Sequence, residues 1–470
     1  MTAPIAARTA KAPASVLPST GSETAGFLRD ALGRDAIIPG DTAYEPGRMA
    51  HNTIYDRRPA AIVRPTGALE VARAVLAARE LGLDIAVRGG GHSLAGHSTI
   101  DGGLLIDLSA MRQVEIDPVR WTGTAEGGAT AGEYTEAAGR HGFATPFGDT
   151  GAVGLGGLTL GGGIGWLARK HGMTIDSLLS VDLVTADGEL RTVSEASDPD
   201  LFWAVRGGGG NFGIATRFRY RLHPVSMVLG GMLALPLSER VLLDAIDASM
   251  EAPEELTQIS AVMDLPPLPF VPAEFHGVPA LVVLPVYAGD LDAGQAALAA
   301  FRSIATPIAD MVSPMPYPAM YQLTAQAATP SAEIVRSAFL GGLDLVAAEA
   351  IVDHHRSLAG RGTMTQLRVL GGAMGRVPAE ATAFAHRGAP VMAAVMAGVR
   401  GTRDEAEARA NGLLAAMSGQ ATGAYSNFVG EEGQARVHDA YPRATYERLV
   451  AVKRRVDPAN VFNANQNIQP

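Results

Sequence analysis

A histidine inside a run of glycines is the most chemically suggestive feature of this chain. The run reads Val87-Arg88-Gly89-Gly90-Gly91-His92-Ser93-Leu94-Ala95-Gly96-His97-Ser98. Glycine permits positive φ and close approach of the backbone to a ligand, and successive free N–H groups form a nest for an anion such as a pyrophosphate. Two more glycine-dense segments follow, Gly154-Leu155-Gly156-Gly157-Leu158-Thr159-Leu160-Gly161-Gly162-Gly163-Ile164-Gly165-Trp166 and Arg206-Gly207-Gly208-Gly209-Gly210-Asn211-Phe212-Gly213. One such segment reads equally well as a turn. Three in one half of a chain point to a large phosphate-bearing ligand. Gly208, Gly210 and Gly213 satisfy G-x-G-x-x-G, but the helix-like Pro199–Val205 precedes them and the alternating strand Ile214–Leu222 follows. A dinucleotide-binding Rossmann turn needs strand, then helix, so the match is accidental. No nucleoside-triphosphate loop of the form G-x-x-x-x-G-K-[ST] is present. Gly91-x-Ser93 suggests a hydrolase elbow, but Ala95 occupies the final glycine position.

The elements that must carry these loops show in the periodicity. Glu23–Leu32 reads as a helix closed by Gly33, and Ala60–Pro65 as a strand. Leu69, Ala72, Val75, Leu76 and Ala78 form a helical stripe ending at Gly82, and Asp84–Arg88 reads as a buried strand. Leu104–Leu108, Gln113–Ile116 and Leu179–Ala186 are further strands, with Asp187-Gly188 a hairpin signal. Near Pro224 the texture changes to apolar runs with proline-rich joints and helices such as Asp292–Phe301 and Thr402–Ser418. The expected organisation is a tail over 1–22, a first domain over 30–225, a second over 226–422 and a C-terminal segment over 423–470 that returns to the first. At 470 residues and 47% apolar the chain can bury more than one core. A net charge of −10 argues against nucleic acid or anionic membrane as partner and favours small molecules. The tail carries Arg8 and Lys11 without an apolar core, unlike a signal peptide, and no run is long enough to span a bilayer; a cytoplasmic location is the default expectation. There are no cysteines, which excludes disulfides, thiolate metal sites and a cysteine nucleophile. His354-His355 reads as a helix-surface pair, and no metal site is expected. Oligomeric state is not readable.

Together, Arg88-Gly89-Gly90-Gly91-His92-Ser93, Gly96 and Asp101-Gly102-Gly103-Leu104-Leu105-Ile106-Asp107-Leu108-Ser109 resemble the FAD-binding domain of the vanillyl-alcohol-oxidase (PCMH-type) superfamily. The nearest branch is the berberine-bridge-enzyme-like oxidases, in the bacterial group that includes 6-hydroxynicotine oxidase. Gly154–Gly165, Leu201-Phe202-Trp203-Ala204-Val205-Arg206-Gly207, Asn211-Phe212-Gly213 and the tail Asp457-Pro458-Ala459-Asn460-Val461-Phe462 with Asn465-Gln466-Asn467-Ile468 match the same branch. The resemblance runs from about Arg58 to the end and is weakest over Leu229–Thr422. It implies an α+β fold: a two-subdomain FAD-binding domain plus a substrate domain whose antiparallel sheet is covered by helices.

The same resemblance assigns residues. His92 takes the position bonded to the flavin 8α-methyl carbon. Many relatives add a cysteinyl bond, at the position of Thr150 here; without cysteine, FAD is attached through His92 only, and a smaller or more enclosed substrate is expected. Val153 takes a position that borders oxygen access, where a small Val accompanies oxidases and a bulkier residue dehydrogenases. Arg88, Gly89, Gly90, Gly91, Ser93, His97, Gly151, Gly154, Gly157, Gly161, Gly162, Gly213, Ile214, Asn427 and Asn465 are the other implied FAD contacts. Tyr425, in Tyr425-Ser426-Asn427-Phe428, aligns with a tyrosine beside the substrate and is the candidate base; it needs its phenol pKa lowered from about 10. On the strand Thr365–Gly372, alternation puts Gln366, Arg368 and Leu370 on one face, making Gln366 and Arg368 candidate substrate contacts, with Arg368 suited to an anionic substrate. The implied reaction is oxidation of a C–OH or C–N bond of a small molecule by hydride transfer, with O2 reduced to H2O2. The alternatives are a flavin dehydrogenase, a natural-product tailoring flavoenzyme and, outside the family, a hydrolase.

Overall fold

The computed structural model describes residues 21–470; residues 1–20, most of the expected tail, lie outside the described residues. A three-stranded parallel sheet opens the fold, ordered Ala61–Val63, Leu104–Asp107, Ile85–Arg88. The helix Ala68–Leu81 crosses over it and ends at Gly82 in the left-handed region. The stripe expected on this helix is rotated. Val71, Ala74, Val75, Ala78 and Leu81 are buried, whereas Leu69 is 69% exposed and Leu76 46%. Spacing by three and four from Val71 meets the sheet, and Leu69 and Leu76 fall on the far side.

A five-stranded antiparallel sheet follows, ordered Val114–Asp117, Thr122–Glu126, Ile214–Arg221, Leu178–Val184, Leu190–Val193. The expected Asp187-Gly188 hairpin joins its last two strands, with Gly188 at φ +78°. The third glycine segment lies between the helix Pro199–Val205 and the strand Ile214–Arg221, so the Rossmann order is absent there.

A ten-stranded antiparallel sheet carries the middle of the chain. Its central strands are Pro279–Tyr287, Leu256–Asp264, Thr363–Val369, Val391–Gly398 and Glu333–Leu340. Helices Glu239–Glu251, Leu345–Ser357 and Arg403–Ala416 cover one face through Leu242, Ile246, Ile351, Val352, Ala406 and Ala410. His355, expected at a helix surface, is instead buried beneath this layer, its Nε2 2.9 Å from Thr365 Oγ1. The opposite face packs against the second glycine segment: Ile259 clusters with Trp166 and Leu167, and Phe339, Leu370 and Met392 cluster with Ile164, Ala168 and Tyr425.

The C-terminal residues close over the smaller sheets. Lys453 is fully buried and its ammonium donates to Asp457 (2.7 Å) and to the carbonyls of Asn211 and Phe462 (both 2.8 Å). Asn211 in turn binds Gln466 and Ile468. No helix among the described residues is long and apolar enough to cross a membrane.

Candidate active site

The loop carrying His92 is held at both ends by one buried guanidinium. Arg88 ends its strand and donates to the carbonyls of Ser98 (3.0 Å), Gly47 (2.5 Å) and Arg48 (3.2 Å). Gly91 and Gly96 take φ of +79° and +70°, which other residues rarely adopt. A Cβ on Gly90 would lie 2.3 Å from the nitrogen of Gly154, so the first and second glycine segments interlock backbone to backbone. Among the described residues, the amide N–H groups of Gly90, Gly91, His92 and Ser93 donate to no protein acceptor. The Ser93 hydroxyl accepts from the amide of His97 at 3.0 Å.

The His92 ring stacks on His51, centroids 3.9 Å apart and planes 26° from parallel. Burial, reinforced by repulsion from His51, brings its pKa down to about 4. Its imidazole is therefore neutral at physiological pH, with a nitrogen lone pair free. His97 is lowered to about 4 as well, by burial and then by Arg57.

The second glycine segment runs from this interlock to Tyr425. Thr150 donates to Asp149 at 3.3 Å, the Gly151 carbonyl accepts from Gly132 at 2.8 Å, and Val153 lies half-buried against the core. Gly157 is exposed. Gly161 lies against Asn427, whose Oδ1 would be 2.1 Å from a Cβ there. Gly162, at φ +133°, faces the Tyr425 ring. The Tyr425 hydroxyl accepts from the Gly163 amide (2.9 Å) and from Asn427 Nδ2 (3.1 Å), which also reaches the Leu158 carbonyl (3.2 Å). Burial is the largest influence on this phenol and raises its pKa, against the pull of the Gly163 and Asn427 hydrogen bonds and the charge of Arg368. The balance is opposite to the lowering that a base at neutral pH needs.

Gln366 and Arg368 share the sheet face turned toward the glycine segments, opposite Ala261 and Ile259 on the neighbouring strand. Arg368 pairs with Asp149 at 2.5 Å and lies 5.3 Å from the centre of the Phe428 ring, which stacks on Tyr425. Gln366 Oε1 and Arg368 Nε and Nη1 are buried without a partner among the described residues.

Contacts thus link the first glycine segment to Gly154, Gly161 to Asn427 and Tyr425, and Thr150 through Asp149 to Arg368. Gly213, Ile214 and Asn465 form a second group. Gly213, at φ +156°, lies against the Val184 carbonyl, Ile214 is buried, and Asn465 donates to Gly210 and Phe462 (both 3.2 Å). Sequence reasoning passed over Gly127, whose carbonyl lies 3.1 Å from the Cβ positions of both Gly89 and Gly156 and which itself abuts the Ala215 carbonyl. It also missed His51 and Asp149. An acid beside Thr150 in a glycine-rich loop was a usable signal for Asp149; nothing local marks His51.

These residues fit FAD. The first two glycine segments approach so closely that a Cβ would clash, the unpartnered loop amides suit a pyrophosphate, and Gln366 Oε1 and Arg368 Nε and Nη1 are buried without a protein partner. Residues 59–194 match a family described as FAD binding domain, and residues 424–469 one described as Berberine and berberine like. An FAD-linked oxidoreductase of Dictyostelium discoideum is 31% identical, over 88% of this chain and 89% of its own. (R)-6-hydroxynicotine oxidase of Paenarthrobacter nicotinovorans is 29% identical, over 93% of this chain and 96% of its own. The crystal structure of 6-hydroxy-D-nicotine oxidase from Arthrobacter nicotinovorans superposes with a TM-score of 0.83 at 29% identity, covering 93% of this chain and 98% of that one. A glucooligosaccharide oxidase of Acremonium strictum shares the fold, with a TM-score of 0.84 at 24% identity over 94% of this chain and 98% of that one. With its cradle, its sheet face and relatives matched nearly end to end, the chain belongs to the berberine-bridge-enzyme-like FAD-linked oxidases of the PCMH-type, vanillyl-alcohol-oxidase superfamily.

Proposed function

We propose that the chain holds FAD by a single covalent bond from His92 and oxidises a C–OH or C–N bond of a small molecule bound against Gln366 and Arg368. The observation that carries this reading is the state of His92. It stands in a glycine nest with unpartnered amides, and burial and His51 keep its ring neutral and nucleophilic, in a chain with no cysteine to form a second bond.

FAD, when bound, supplies the two-electron acceptor and passes the electrons to O2, giving H2O2. The chain's residues do the rest. Gly90, Gly91 and Ser93 offer amides to the pyrophosphate, and Arg88 fixes the loop that carries them. The ten-stranded sheet excludes water from one side with Ile259, Met392 and Phe339. Gln366 orients the substrate through its free Oε1, and Arg368 adds positive charge to the same sheet face. Tyr425 takes the reacting proton as its minority phenolate, because burial raises its pKa: Gly163 and Asn427 fix its oxygen, and with Arg368 they offset part of that rise. Phe428 has no hydroxyl to share that role.

Acid precipitation of purified protein tests the linkage. Yellow colour should stay with the pellet, and a His92→Ala variant should release it to the supernatant. Colour retained by that variant would mean another linking residue. Oxygen uptake during turnover tests the acceptor: reduced flavin persisting for minutes in air would rule out the oxidase reading.

A further inference from the structure

Behind Tyr425, where the segment Ile164–Arg169 meets the ten-stranded sheet, lies a small cavity lined in part by Gly165, Ala168, Arg169, Thr257, Arg368 and Leu370. It has room for about one water-sized particle. Its polar side chains are deeply buried: Arg368 is 5% exposed, Arg169 6% and Thr257 7%. Arg169 Nε, Arg368 Nε and Nη1, and Thr257 Oγ1 have no hydrogen-bond partner among the described residues. Three of these four atoms are obligatory donors.

The charges are unequally served. Arg368 has Asp149 as counter-ion. Arg169 donates from Nη1 and Nη2 to the carbonyls of Leu370 (2.9 Å) and Ala252 (2.7 Å) and forms no ion pair among the described residues; Glu254, the acid whose charge acts on it, pairs with Arg376 instead. A buried guanidinium without a counter-charge is costly. A single water does not answer this demand, because it carries no charge and accepts two hydrogen bonds while these donors number three. A small anion accepts from all of them and supplies the missing charge.

We propose that this cavity binds a small monovalent anion of halide size, chloride being the physiological example. The anion bridges Arg169 and Arg368 and locks the glycine segment to the substrate-facing sheet. It also offsets the positive charge that Arg368 directs at Tyr425, so chloride tunes the phenol toward its protonated form.

Two measurements on the flavin-loaded protein test this. Crystals grown with bromide should show an anomalous difference peak in the cavity within hydrogen-bonding distance of Arg169 and Arg368. In solution, the thermal midpoint should rise with chloride relative to gluconate at equal ionic strength. Well above half-saturation, each tenfold rise in chloride should raise the folding constant about tenfold. Arg169→Met and the gentler Thr257→Val should reduce that dependence, with Thr257→Val serving where Arg169→Met does not fold. No anomalous peak overturns the proposal. So does a peak without any chloride response of the wild-type midpoint, which means binding at crystal concentration only.

Discussion

At Gly90 a side chain has nowhere to go. The carbon that alanine adds would stand 2.3 Å from the Gly154 nitrogen and 2.7 Å from its Cα, both backbone atoms that cannot rotate away. Gly90→Ala should therefore push the two loops apart, at a cost of about 1–3 kcal/mol by analogy with overpacked cores. FAD content should fall with it, read as the ratio of flavin to protein absorbance; full occupancy and an unchanged melting point would contradict the interlock. Tyr425 poses the opposite problem, since its space is right and its ionisation is not. Burial raises the phenol above its ordinary value of 10.0, and the hydrogen bonds from Gly163 and Asn427 offset this only in part. If Tyr425 accepts the substrate proton, the rate should keep rising with pH through 10 where the protein remains folded. Tyr425→Phe should remove that alkaline limb and lower kcat by about 10²–10⁴-fold, the usual contribution of a general base. A Tyr425→Phe enzyme with an unchanged pH–rate profile would assign the proton to another group.

Element by element, the site depends on how far the C-terminal helix reaches back. Arg443–Val456 presents Lys453, and the residues after it present Asp457, as an ion pair with no solvent exposure on either side chain. The pair is well satisfied: the ammonium makes three bonds, and the carboxylate also accepts from Val461 and Phe462. Removing one partner leaves a buried charge, so Asp457→Ala should cost about 3–5 kcal/mol, read from denaturant midpoints. Replacing both by apolar residues should cost less; equal losses would show that packing, not charge, is at issue. Elements of this kind were partly legible in the sequence. The glycine loops were visible because glycine marks its backbone locally, and the shared face of Gln366 and Arg368 because strand alternation is local too. The Asp149–Arg368 pair was not, since those residues are 219 positions apart and meet only once the sheet folds over the loop. Gly127 was missed because a Gly127-Gly128 pair reads as an ordinary turn until three other backbones crowd against it. The stripe of Ala68–Leu81 was misphased because two large apolar residues that suggested it, Leu69 and Leu76, lie on the exposed side, while small Ala74 and Ala78 share the buried side with Val71, Val75 and Leu81.

For the molecule as a whole, buried and half-buried histidines set an acid limit. His223 and His355 are lowered to about 4 and His171 to about 3, with burial the first cause in each, and none belongs to the proposed flavin cradle. His171 and His223 stack at 4.2 Å, and Ser177 holds His223 at 2.9 Å. Each folded-state value lies below the free imidazole value of 6.5, so the unfolded chain binds these protons more readily. Their stabilising contribution is complete above about pH 6.5 and is lost as pH falls through the folded-state values near 4 and 3. Several groups titrate together, so unfolding in that window should take up more than one proton, and the thermal midpoint should drop steeply below about pH 6. The acids that are salt-bridged, such as Asp198 with Arg455, are lowered from 3.8 and act only further down the scale. A His171→Gln, His223→Gln double variant should flatten the slope between pH 6.5 and 4 while shifting the neutral midpoint far less. A double variant with the wild-type slope would place the acid sensitivity in His355, in the carboxylates or in the histidines at the flavin.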